Sequence, residues 1–130
     1  MAGKKKPRRV GKMGPKKPIS ELQIEQYDRL LATHPEIERK GKNLLYTSVN
    51  GHMFTVFSTN AKLGIRLSPK DREEFVGRFG SELLQSYGVV MKDYVEVPDQ
   101  VLADSATLAP YLAKSYDYVR ALKPKATTRK

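Results

Sequence analysis

Acid–base or metal chemistry near neutral pH calls first for histidine, and this 130-residue chain has two, His34 and His52. Tyr46 and His52 would face one another across a hairpin, with Ser48 close by, a grouping able to pass a proton if a carboxylate oriented the ring. No acid stands at a spacing that would do so, and His52 is expected to flank a turn as a structural residue. His34 precedes Pro35 at a helix end, where an imidazole can meet the helix dipole, and is expected to be structural too. With no cysteine in the chain, thiolate nucleophiles, cysteine zinc sites and disulfides are all excluded. The phosphate-loop, dinucleotide, zincin, nucleophile-elbow and EF-hand patterns are absent from the sequence. The expectation is a non-enzymatic protein that needs no metal and no cofactor.

Two other groupings could bind rather than react. Lys92, Tyr94 and Glu96 share one face of a strand by period-two alternation, with Met91, Asp93, Val95 and Val97 on the other. His52, Lys92 and Tyr94 are therefore the candidate polar surface, weighed against a plain solvated strand face guarded by charge. Asp93 is the odd residue on the apolar side and should mark a strand end or pair with an arginine or lysine. Tyr111, Tyr116 and Tyr118 alternate with Lys114 and Arg120 as a single-strand nucleic-acid platform would. Tyr111 and Tyr118 are seven apart, however, and core packing is the expected role.

The strongest binding signal is charge. The net charge is +10, yet residues 1–18 hold eight basic groups (Lys4, Lys5, Lys6, Arg8, Arg9, Lys12, Lys16, Lys17) and no acid. Residues 120–130 add five (Arg120, Lys123, Lys125, Arg129, Lys130), again without an acid. Residues 19–119 carry the remaining 11 basic groups against 14 acids, a net of −3. Basic segments of this composition contact phosphates without reading sequence, so all of these residues except Arg120 are the candidate nucleic-acid contacts. Solubilising tails on a protein-binding domain are the alternative.

The elements that would position these groups are readable from local rules. Ser20 and Gln23 form a capping box with Ile19 and Ile24 as its hydrophobic staple, so a helix begins at residue 21 and ends near Thr33, before Pro35. Leu44–Val49, His52–Thr59 and Lys62–Leu67 are rich in β-branched, aromatic and aliphatic residues and read as strands, the first two joined by the hairpin turn Asn50-Gly51. Ser68-Pro69-Lys70-Asp71 opens a second helix that Gly80 should terminate. Leu83, Leu84 and Tyr87 form an uncertain link to a strand at Val89–Val97. A short turn follows Pro98-Asp99, and a last helix runs from about Thr107, its expected cap, to Leu122 with Pro110 in the first turn. The fold class is α+β: an antiparallel sheet of about four strands with helices packed on one face. A single domain is expected over residues 19–122, flanked by basic tails at 1–18 and 123–130 that cannot bury enough apolar surface to order themselves. No stretch approaches the length of a membrane span or a secretory signal, so a cytoplasmic protein with no membrane partner is expected.

Several runs taken together carry a resemblance. They are Leu44-Leu45-Tyr46-Thr47-Ser48-Val49-Asn50-Gly51-His52-Met53-Phe54, Leu63-Gly64-Ile65-Arg66-Leu67, Asp71-Arg72-Glu73-Glu74-Phe75, Val90-Met91-Lys92-Asp93-Tyr94-Val95-Glu96-Val97-Pro98 and Lys114-Ser115-Tyr116-Asp117-Tyr118-Val119. In this order they resemble the TfoX N-terminal-domain (TfoX/Sxy) family and its short stand-alone bacterial members, over residues 20–122. The resemblance implies an α+β architecture akin to secretion chaperones. It also implies a regulatory rather than catalytic role, since the family's namesake regulates competence for DNA uptake alongside the transcription machinery. It brings no catalytic residues to carry over. A protein partner and a homodimer through a helix or sheet edge complete the expectation.

Overall fold

Side-chain caps mark the starts of three of the helices among the described residues. The computed structural model describes residues 18–41, 45–86 and 88–123; the basic groups before Pro18, those after Lys123, and Leu44 lie outside them. Helix α1 (Glu21–Leu31) starts at Ser20, whose hydroxyl accepts the Gln23 N–H at 3.0 Å while Gln23 Oε1 accepts the Ser20 N–H at 3.0 Å. Strands β1 (Tyr46–Val49) and β2 (His52–Phe57) meet at Asn50-Gly51, both with positive φ (55° and 80°), as a type I′ turn requires. β3 (Leu63–Arg66) leads into α2 (Pro69–Phe79), capped by Ser68 and closed by Gly80 at φ 61°. Then come β4 (Leu83–Ser86), β5 (Val89–Val97), the single turn α3 (Asp99–Leu102) and α4 (Ser105–Arg120).

The fold is α+β, with a five-stranded antiparallel sheet in the order β1-β2-β3-β5-β4. The expected four strands become five because the link at Leu83–Ser86 pairs with β5. Its four residues lack the β-branched run that marks the other strands. The last helix also begins earlier than the sequence suggests. Asp104 caps it, accepting the Thr107 N–H at 3.2 Å and the Thr107 hydroxyl at 2.7 Å, so Pro110 sits one turn inside. The side chain of Thr107 supports the cap rather than being it.

One face of the sheet packs on all four helices. Phe57, Leu63, Ile65, Val95 and Val97 from the strands bury against Tyr27, Leu30, Phe75, Leu102, Leu108 and Leu112. Phe54 joins them because a register shift between Thr47 and Ser48 turns it inward. Within this layer Tyr27 Oη lies 2.6 Å from Thr55 Oγ1, which lies 2.6 Å from Thr47 Oγ1, so three buried hydroxyls satisfy one another and tie α1 to the sheet. Burial pushes the Tyr27 phenol well above the ordinary tyrosine range.

The second face is covered by the chain's own hairpin. Opposite β4, β5 carries three extra residues, since Leu83 pairs with Val95 but Leu84 with Met91. Beyond that offset the hairpin doubles back across the sheet. Leu84 is fully buried with Val56 and Tyr94, packed by Tyr46 and Met91, and Ser86 Oγ accepts the Thr59 N–H at 3.2 Å. Leu84 fits only because Gly64 lies beneath it; a methyl group there would stand 2.4 Å from Leu84 Cδ2.

Phe75 is 0% exposed and its ring meets those of Phe79 and Tyr111 at 4.7 and 5.0 Å. Phe75→Ala should therefore lower unfolding free energy by about 3–5 kcal/mol. Urea denaturation checks this; a midpoint close to wild type would contradict the helix-on-sheet packing.

Candidate functional site

The residues singled out for chemistry each have a separate structural task. His52 is half-buried, and its Nε2 lies 2.8 Å from the carbonyl oxygen of Lys123. Beside it, Asn50 Nδ2 donates to the Arg120 carbonyl at 2.7 Å. The type I′ turn thus holds the end of α4, whose last carbonyls have no partner within the helix. Tyr46 does not face His52: it pairs with Val56, whereas His52 pairs with Val49, and Lys40 Nζ donates to Ser48 Oγ at 2.9 Å. The Tyr46–Ser48–His52 grouping weighed against a structural role for His52 is not formed. The His34 ring lies against Tyr116, tilted by 48° with 4.7 Å between ring centroids.

Nor do Lys92, Tyr94 and Glu96 form one polar face. Lys92 is exposed at the corner where β5 bends; Tyr94 is 8% exposed, and its hydroxyl donates to the Met53 carbonyl at 2.7 Å. Burial raises the Tyr94 phenol above its ordinary value, with the nearby Arg66 guanidinium opposing the shift. Alternation fails because the three-residue offset brings Met91 into the Tyr94 cluster. Asp93 does pair with arginines: its carboxylate oxygens lie 3.7 Å from Arg66 Nη2 and 3.6 Å from Arg72 Nη1. Tyr111 is a core residue, its hydroxyl donating to Glu74 Oε1 at 3.2 Å and accepting from Arg78 at 3.2 Å. Tyr116 and Tyr118 are half-buried against the same core.

Of the twelve candidate phosphate contacts in the two basic segments, Lys123 is described and exposed; Lys4, Lys5, Lys6, Arg8, Arg9, Lys12, Lys16, Lys17, Lys125, Arg129 and Lys130 lie outside the described residues. The attachment points of both segments are well defined. Pro18 leads into the Ser20 cap, and Gln23 Nε2 donates to the Ala61 carbonyl at 2.7 Å, fixing the N-terminal attachment at the β2–β3 turn. The C-terminal attachment is fixed at the β1–β2 turn by Asn50 and His52. These turns are the two ends of β2, a six-residue strand about 20 Å long.

A groove of about 480 Å³ near the first attachment is lined by Lys62, Glu82, Glu96 and Asp99 among others. Lys62 Nζ lies 3.3 Å from Asp99 Oδ2, and Ser81 Oγ donates to the Glu96 carbonyl. Among the described residues no group of carboxylates and histidines is arranged to hold a metal ion, and no helix is long and apolar enough to cross a membrane. No protein-family model matches this chain, and no curated protein or solved structure is significantly similar to it. The tasks of Asn50 and His52 are not legible in the sequence because their partners lie 70 and 71 residues away. The Asn-Gly signal announces the turn and says nothing of what it touches.

Glu96 supplies a pH test of this region. Partial burial, then the Glu82 carboxylate, raise its pKa. A carboxyl with a raised folded-state pKa binds its proton more readily in the folded chain, so its ionisation withdraws stability as pH rises past the unfolded value. Glu96→Gln should raise the urea midpoint at pH 7, and the gap should close below about pH 3, where both states hold the proton. An unchanged midpoint at pH 7 would contradict this.

Proposed function

We propose that this protein is a non-enzymatic interaction module of TfoX N-terminal-like type whose basic terminal segments contact nucleic acid without reading sequence. The observation that carries this reading is the separation of charge: 13 of the 24 lysines and arginines sit in two acid-free terminal segments, while residues 19–119 have a net charge of −3. The two segments attach at opposite ends of β2, so each can follow a different stretch of phosphates with the domain as spacer. The separate structural tasks of His52 and Tyr94 support the absence of catalysis. A homodimer belongs to the same proposal, since β1 and β4 are the sheet edges and an edge invites pairing. Light scattering at micromolar concentration should return twice the chain's 14.7 kDa; the monomer mass would remove the dimer and leave the charge reading intact.

Salt dependence tests the main claim. With most of the eight basic groups before Pro18 on duplex phosphates, log affinity should fall against log salt with a slope of about −5 to −7. Changing target base pairs should matter little. Deleting residues 1–18 should flatten that slope and leave the melting temperature nearly unchanged. A truncated protein that binds duplex DNA as tightly as the full chain, or a full chain that does not bind at low salt, would replace this reading with a protein–protein adaptor.

A further inference from the structure

We propose that Asn50 is a modification site: spontaneous deamidation removes the side-chain amide that holds the end of α4 and so loosens the C-terminal attachment. The chain's asparagines are Asn43, Asn50 and Asn60, followed by Leu44, Gly51 and Ala61. In this reaction the backbone nitrogen of the following residue attacks the asparagine Cγ and closes a cyclic succinimide. The attacking nitrogen gives up its proton, and the side-chain nitrogen leaves as ammonia. Water then adds across either of the ring's C–N bonds to the former chain and leaves aspartate or isoaspartate. An amide and a water thus become a carboxyl group and ammonia. The reaction needs an attacking nitrogen that is within reach and not already held.

Gly51 meets that condition and Ala61 does not. Gly51 has no Cβ to obstruct ring closure, and among the described residues no backbone carbonyl accepts its N–H. Asn50 and Asn60 are both exposed, so water reaches either side chain. The Ala61 N–H, however, is held by the Ser58 carbonyl at 3.0 Å, and Ala61 itself is buried. The fold adds a brake and a consequence. Asn50 Nδ2 donates to the Arg120 carbonyl at 2.7 Å, so Cγ can turn toward Gly51 only when that bond opens. An ionised carboxylate in its place accepts hydrogen bonds and donates none, so it cannot serve a carbonyl. The Arg120 carbonyl then loses its donor, and the link from His52 to the Lys123 carbonyl at 2.8 Å is left to join the turn to the end of α4. Isoaspartate would also lengthen the main chain inside the turn that sets the β1–β2 register.

Timed peptide mapping of the full chain by mass spectrometry, in mildly alkaline buffer, tests the proposal. Asn50 should convert at least about tenfold faster than Asn60, a difference of about 1.4 kcal/mol in barrier. Conversion at Asn50 should be faster again in denaturing urea, where the Arg120 contact is gone. Asn50→Asp supplies the product directly, and Asp-Gly suits the same type I′ turn, so the fold is kept. In that variant the NMR amide resonances of Ala121, Leu122 and Lys123 should move while those of Ile65 and Val95 stay. Asn50 converting no faster than Asn60 would overturn the site. Equal rates in the folded and the unfolded chain would overturn the brake, and unmoved resonances at 121–123 in Asn50→Asp would overturn the consequence.

Discussion

The central strands of this sheet are apolar on both sides, while helices cover only one. Ile65 and Val95 face the helices; Val56 and Tyr94 face away from them and are nonetheless buried. Something must cover the second face, and the nearest available chain is the outer half of the β4–β5 hairpin. Its approach requires a three-residue offset to turn the corner and a glycine at position 64 to receive Leu84. The arginine clamp on Asp93 then fixes where the corner lies. One burial requirement thus accounts for the bent strand, the edge position of β4 and the placement of Gly64.

Features specified within a few residues were legible in the sequence. The Ser20–Gln23 box, the Ser68-Pro69 start, the Asn50-Gly51 turn and the Gly80 stop all stand where local rules put them, because each satisfies its own backbone. The α+β class was legible for the same reason. What escaped reading depends on distant partners. β4 is four residues long and becomes a strand only through β5. The alternation that placed Lys92 beside Tyr94 and Met91 opposite assumes an unbroken ladder, and the offset breaks it. At the start of α4, Asp104 and Thr107 are both good capping residues, and the assumption that Pro110 must lie in the first turn selected the wrong one.

The candidate polar residues illustrate the same division. His52 looked chemical by type and is mechanical by position, joining the hairpin turn to the end of α4. Tyr94 looked like part of a surface and is buried with Leu84 under the β4–β5 hairpin. The charge separation on which the proposed interaction rests was fully legible because it needs no fold to be counted. In the proposed reading the folded part supplies two fixed attachment points, one at each end of β2, and residues 19–119 carry a net charge of −3.

The claim that the terminal segments bind while the folded part only carries them is tested most directly by a residue-resolved titration. Amide resonances of the full chain would be followed by NMR as a short DNA duplex is added at low salt. The account predicts perturbations confined to residues 1–18 and 120–130, with the resonances of β2, β3 and α2 unmoved. Perturbations concentrated on the folded surface instead, around Lys92 or along α2, with the basic segments unaffected, would contradict it.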